Sequence, residues 1–183
     1  NIPEYIILGG QCAEVIERLK QNGIAMDVLE NDTLIPISRE RVAEFKSASK
    51  PYEGHFYHNQ LESNYEFADQ DFKKGDILID LNQYQRNFIL SVLISKAEDS
   101  YFRWNFFDSY LQQKEYFSPY VFEEKALEIL EQKPWVKTEL EEMKKVNKSF
   151  AESSWEQLYF IYKNSDLFEE SYYLLPIFMN TIE

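Results

Sequence analysis

Histidine, cysteine and glycine are scarce in this chain, with two, one and five among 183 residues. A single thiol, Cys12, excludes an internal disulfide, and its apolar neighbours predict a packed side chain. Bases are few as well: 19 Lys and Arg stand against 32 Asp and Glu, a formal charge of -13. That field repels phosphate backbones and anionic lipid surfaces, so nucleic acid is not an expected partner. No apolar run is long enough to span a bilayer, and no membrane insertion is expected. The chain opens on Asn1 without a charged segment followed by an apolar one, which reads as a fragment of something longer.

What is abundant is apolar surface. Hydrophobic residues make up 44 % and aromatics 16 %, enough to exclude disordered and low-complexity classes and to bury a real core. Charge is spread evenly along the chain, but rings are not: ten lie in the first 100 residues and twenty in the last 83.

Tyr5-Ile6-Ile7-Leu8, then Gly9-Gly10, then Cys12, Val15, Ile16 and Leu19 at helical spacing read as strand, turn and helix, with Gly23 as the stop. Ile24 to Leu29 returns as a strand, so residues 4–30 predict a β-α-β unit whose strands are parallel neighbours. From Thr33 to Leu81 the period is two, through Val42, Phe45, Phe56, Leu61, Tyr65 and Phe67, which predicts antiparallel strands. Pro51 and Gly54 punctuate them, and Lys73-Lys74-Gly75-Asp76 is a tight turn into a buried strand over 77–81. Helices follow. Asn82 is the expected N-cap of the first, Ser118-Pro119 and Pro134 open two more, and Ser149 with Glu152 predicts a capping box before Trp155, Leu158, Tyr159 and Tyr162. The expected fold is α+β: the β-α-β unit continues into mostly antiparallel sheet, followed by about five packed helices. The expected division is 1–81, sheet-rich, and 82–183, helical, both in one compact unit.

Gly9-Gly10 ahead of a helix, with Glu30 closing the next strand, invites a dinucleotide reading. The G-x-G-x-x-G spacing is missing and Glu14 would repel a phosphate, so an ordinary strand-to-helix turn is expected. The histidines, His55 and His58, sit three apart and on a strand would point to opposite faces, which argues against a shared metal ion. Glu53 and His55 could lie on one face as a base and its orienter. No nucleophile adjoins them, and a structural hydrogen-bonding role is expected instead. Asp108 lies in the nearly all-apolar run Tyr101 to Leu111, read as a helix. That context predicts a largely buried carboxylate partnered by Arg103, Lys114 or backbone amides rather than an acid-base catalyst. The same helix carries Tyr101, Trp104, Phe107 and Tyr110, too many rings for a sheet alone to cover. Their cover is expected from Phe122, Leu127, Trp155 and Tyr159, from a partner domain, or from a homodimer.

Pro51-Tyr52-Glu53-Gly54-His55, the run Asp99 to Asp108, Gln113-Lys114-Glu115-Tyr116-Phe117-Ser118 and Tyr162-Lys163-Asn164-Ser165 resemble the carboxy-terminal region of bacterial zinc carboxypeptidase-like proteins. Val15 to Lys20 with Asn22-Gly23-Ile24 fits the start of that region, and the likeness spans nearly the whole chain in order. It implies a non-catalytic accessory region packed on an upstream peptidase domain of the same polypeptide, exported to the periplasm or cell surface. In that family a His-x-x-Glu pair and a later His hold the zinc within the peptidase domain. None of those ligands occurs here, so no catalytic residue and no cofactor is expected in this chain. The alternatives are a periplasmic peptide- or glycan-binding module and, further behind, a hydrolase centred on Glu53 and His55.

Overall fold

The structure is a computed structural model and describes residues 2–180. The chain folds as two compact units: residues up to Gln112 together with the segment from Ser171 onward, and Gln113–Glu170. The boundary expected at residue 81 falls inside the first of these.

The first unit is built on a six-stranded sheet, with the α+β character expected. Its strands are β1 (Tyr5–Leu8), β2 (Asp27–Val28), β3 (Thr33–Ser47), β4 (His58–Phe72), β5 (Ile77–Asp80) and β6 (Leu174–Met179), in the order β2-β5-β1-β6-β3-β4. Every pairing is antiparallel. Helix α1 (Ala13–Gln21) follows β1 and stops at Gly23, whose φ is 72°. The Gly23 amide donates to Lys20 O and the Ile24 amide to Leu19 O, while Ile24 and Leu19 are both buried, which is a Schellman cap with its apolar contact.

The parallel neighbours expected over 4–30 are not adjacent: β5 lies between β1 and β2. The reason is apolar content. β2 is two exposed residues, whereas Ile77 and Ile79 of β5 are buried beside Ile6 and Leu8, and the centre of a sheet goes to the strand that can be buried. The turn over 73–76 forms as expected. Asp76 accepts from the Lys73 and Gly10 amides at 2.8 and 2.7 Å, and Asp32 from the Lys74 amide at 2.9 Å.

β6 is a strand that the periodicity does not predict, yet it runs between β1 and β3. Its Pro176 sits where the β3–β6 register shifts between Arg39 and Arg41, an irregular stretch where a missing N–H is tolerated. One face of the sheet carries Ile6, Leu8, Val42, Leu175 and Ile177 packed with α1, α2 (Arg86–Leu93), Phe102 and Phe107. Ile7, Ile37, Phe72 and Phe178 form a smaller cluster on the other. The N-cap of α2 is Gln85 rather than the expected Asn82, because the side chain of Gln83 bonds the Ala25 backbone and holds 82–85 as a loop.

The second unit consists of α3 (Pro119–Gln132), α4 (Pro134–Val146), α5 (Lys148–Glu152) and α6 (Ser154–Lys163). Ser118 and Pro119 open α3 and Pro134 opens α4, as the sequence predicts. Phe122, Ala126, Ile129, Leu140, Phe150, Ile161 and Tyr162 form its core. Ser149 is not the N-cap: Asn147 accepts from the Phe150 amide and caps α5, and Ser153 accepts from the Glu156 amide and caps α6. Leu127 and Trp155, expected to be covering residues, are 66 % and 49 % exposed.

Candidate functional site

The segment 101–111 is not an α-helix. It is a succession of turns ending in a 3-10 turn at Asp108–Tyr110, interrupted at Asn105 with φ 70°. Bulky rings lose rotamer freedom in a helix, and here they gain more by pointing in different directions into the core. Tyr101 and Phe107 are buried in the main cluster, and Trp104 and Tyr110 are half-buried. Tyr101, Phe107 and Tyr110 take their cover from the main cluster of sheet, α1 and α2, whereas Trp104 packs against Tyr52, His55 and Tyr57. Tyr110 OH lies 3.5 Å from Cys12 Sγ, and burial pushes both groups' pKa values up.

The turns of 101–108 clasp the end of the β3–β4 hairpin. The His58 amide donates to Arg103 O at 2.9 Å, Arg103 Nη1 returns a bond to His58 O at 2.9 Å, and Asn105 Nδ2 donates to Phe56 O at 2.8 Å. His58 is 1 % exposed, edge-on to Phe45 and tilted against Phe102. Its Nε2 lies 2.8 Å from Asp108 Oδ1 and its Nδ1 2.9 Å from Ser47 Oγ. An ionised Asp108 assigns the ring proton to Nε2, leaving Nδ1 to accept from the serine hydroxyl. Asp108 is thus not buried as expected, since its side chain is 52 % exposed, and its partner is His58 rather than Arg103 or Lys114.

Serine, histidine and aspartate in line are the components of a nucleophilic triad, and their arrangement decides what they do. The base is sealed under rings while the carboxylate faces solvent, the reverse of a site in which buried acid orients an accessible base. What this chain of bonds does is pin residues 101–110 to the hairpin.

Glu53 and His55 do not act as a pair. Glu53 is exposed at φ 49°, in a turn closed by reciprocal backbone bonds between Tyr52 and His55 at 2.9 Å. No side-chain hydrogen bond is formed by either residue among those described. His55 instead stacks on Phe106, centroids 5.6 Å apart, and meets Trp104 edge-on. Among the described residues no three His, Cys, Asp or Glu side chains are placed to share a metal ion. The Gly9-Gly10 turn is likewise committed: the Asp76 carboxylate takes the Gly10 amide, and a Cβ on Gly10 would lie 2.8 Å from Gly75 O. Gly10 serves a close backbone approach, with an acid where a phosphate would need to sit.

Beside Trp104 an open groove of about 620 Å3 is lined by Tyr52, Tyr57, Asn59, Glu98, Asp99, Arg103 and Trp104. Trp104 is singled out in the sequence; Tyr52 and Asp99 appear there only within the resembling strings, and Tyr57 and Glu98 not at all. The one available signal is the repeated tyrosine in Tyr52-x-x-x-x-Tyr57, and nothing local ties it to Trp104. Comparison of the chain with protein-family models, curated proteins and solved structures finds no match in any of the three. No helix among the described residues is long and apolar enough to cross a membrane.

Proposed function

We propose that this chain is a non-catalytic accessory region of an exported, bacterial zinc carboxypeptidase-like polypeptide, packing on the peptidase domain upstream of it. The observation that carries this reading is how the four resembling strings meet. In the first unit, Tyr52 and His55 of the first string close around Trp104 of the second, at 6.2 and 5.9 Å between centroids. In the second unit, Phe117 of the third string packs on Tyr162 of the fourth at 5.0 Å. Strings distant in sequence are thus partners in each unit, which is what shared architecture requires and what chance likeness does not. Their contacts are scaffold contacts, and the zinc chemistry belongs to the domain upstream.

The test is association. The upstream region and this chain, produced separately, should form a complex at micromolar concentration, and the joined polypeptide should melt as one cooperative species. Two pieces that ignore each other even at about 1 mM, the effective concentration of linked domains, together with a joined polypeptide that melts in two independent steps, would sink the accessory reading. A second reading, a recognition module of the periplasm or cell surface, is favoured by the groove beside Trp104, which is open and aromatic.

A further inference from the structure

We infer that the free edge of β4 over residues 60–72 is a docking site for an extended peptide segment, which adds to the sheet as a further strand and brings basic side chains to Asp69 and Asp71. The inference stands on the sheet edge alone and does not require attachment to a peptidase.

β4 is the last strand in the sheet and pairs with β3 alone. An edge strand leaves alternate N–H and C=O groups without ladder partners, and those groups are a template for another strand. The opposite margin, β2, is two residues long, whereas β4 has fifteen. His58 at its start is already held by Arg103 through both its amide and its carbonyl. From Gln60 to Phe72, among the described residues, the one backbone group bonded outside the β3–β4 ladder is Asp71 O, which accepts from the Gln70 side chain at 3.1 Å. Edges are commonly blunted by lysine, proline, a bulge or shortness. Between Gln60 and Phe72 there is neither lysine nor proline, and the one register shift places its extra residue, Ala43, in β3. What guards this edge is charge of a single sign: Glu62, Glu66, Asp69 and Asp71 with no base among them. Such a guard repels a second copy of β4 and admits a basic strand.

The complementary strand can be written residue by residue. Glu66 is compensated by Arg39 and Arg41, at 3.0 and 3.2 Å, and Lys96 stands over the Tyr65 ring at 5.6 Å. Asp69 and Asp71 are exposed and form no ion pair among the described residues. Side chains alternate along a strand, so these two share a face with Tyr65 and with Phe67, which is 65 % exposed. Every pairing in this sheet is antiparallel. A strand added in the same sense meets Asp71, Asp69, Phe67 and Tyr65 in turn with its alternate residues. Two basic side chains followed by two apolar ones match that row, through ion pairs at the acids and cross-strand packing at the rings. The main chain supplies the binding, and the two carboxylates choose the sign of what binds.

The experiment is a titration of the isotope-labelled chain followed by NMR at the backbone amides of 60–72. The probe is the capped peptide Lys-Thr-Lys-Thr-Val-Thr-Val. One control is Glu-Thr-Glu-Thr-Val-Thr-Val. The other is the probe with D-threonine at each threonine, which keeps charge and composition but cannot lie as a regular pleated strand. The probe should shift the amides of 60–72 saturably, with Kd about 1 mM for so short and flexible a strand, and should slow hydrogen exchange at alternate amides there. Raising salt from about 20 to about 500 mM should weaken it several-fold, because the ion pairs are exposed. The D-threonine peptide and the glutamate peptide should each bind at least about tenfold more weakly. The Asp69→Lys, Asp71→Lys double variant alters exposed side chains and should keep the wild-type melting curve, lose affinity for the probe about tenfold and gain it for the glutamate peptide. Asp69→Asn with Asp71→Asn, a milder change, should weaken the probe several-fold without that gain. No saturable shift at about 10 mM probe, ten times the expected Kd, would overturn the inference, as would saturable shifts centred outside 60–72. Equal binding of the D-threonine peptide would reduce the effect to charge attraction and overturn it as well. Amides of 60–72 that shift with protein concentration alone would make the occupant a second copy of this chain instead of a basic peptide.

Discussion

At His58 both ring nitrogens are engaged, by Asp108 at 2.8 Å and Ser47 at 2.9 Å, beneath two aromatic rings. Removing the carboxylate leaves a buried donor without its partner, so Asp108→Ala should cost about 1 to 3 kcal/mol in urea denaturation. Glu53→Ala, in an exposed turn held by backbone bonds, should stay within about 0.5 kcal/mol. A second residue-scale effect concerns pH. Burial raises the pKa of Cys12 above its ordinary 9.0, and those of Tyr101, Tyr110 and Tyr65 above 10.0, with Tyr65 reaching about 12. Folding therefore holds protons that the unfolded chain gives up first. The associated stability is complete below the unfolded values and is lost as pH rises through the folded ones. Denaturation midpoints should fall from pH 9 upward and hold steady on the neutral side, and ultraviolet titration should show a late-ionising set of tyrosines. A midpoint unchanged to pH 11, a unit above the ordinary tyrosine value, would contradict burial of these hydroxyls.

Among the elements, the helices separate local from non-local determinants most clearly. Gly23, Ser118-Pro119 and Pro134 act at their own positions, because a cap or a proline needs only its immediate neighbours. The capping box assigned to Ser149 and Glu152 satisfies the same local rule, yet the chain breaks into two short helices capped by Asn147 and Ser153 instead. The difference is where Phe150 is buried: its place in the core sets the phase of the helix, and the cap follows. Asn147→Ala and Ser153→Ala should each lower stability by about 1 kcal/mol. Ser149→Ala removes a bond only to the Asn147 side chain and should matter less. Thermal melts of the three variants side by side provide the measurement, and a larger loss at Ser149 would reverse the assignment.

For the molecule as a whole, the critical feature is that a central strand comes from the far end of the chain. β6 fills the gap between β1 and β3, with Ile6 facing Met179 and Ser38 facing Met179 from the other side. A chain ending at Glu170 would leave two open edges in the middle of the sheet and uncover Ile7, Leu8 and Val42. It should lose the near-ultraviolet circular dichroism and dispersed methyl signals of the first unit. The helical signal of Gln113–Glu170 should survive in part, since that unit has its own core. A truncated chain that kept the dispersed signals of Ile6 and Ile7 would show that β6 is dispensable.

The amino-acid sequence by itself determined the α+β class, the strand-turn-helix opening, the turn over 73–76 and the helix starts at Ser118-Pro119 and Pro134. Each rests on periodicity, a glycine or a cap whose effect reaches only a few residues. It also brought Glu53, His55, Trp104 and Asp108 to notice as residues out of the ordinary. It did not show that Leu-Leu-Pro-Ile-Phe-Met, a proline-bearing run after the last helix, is a central strand. Pairing depends on which edges are free when the run arrives, and neither β1 nor β3 announces that in its own residues. Nor did it show that β5 separates β1 from β2, that 101–111 is turned rather than helical, or that Asp108 faces outward to His58. Those outcomes were decided by tertiary structure, because burial is allotted among all the apolar segments together. The rings of Tyr101, Phe102 and Phe107 filled the space between sheet and helices, leaving Trp104 at the groove and Asp108 at the surface.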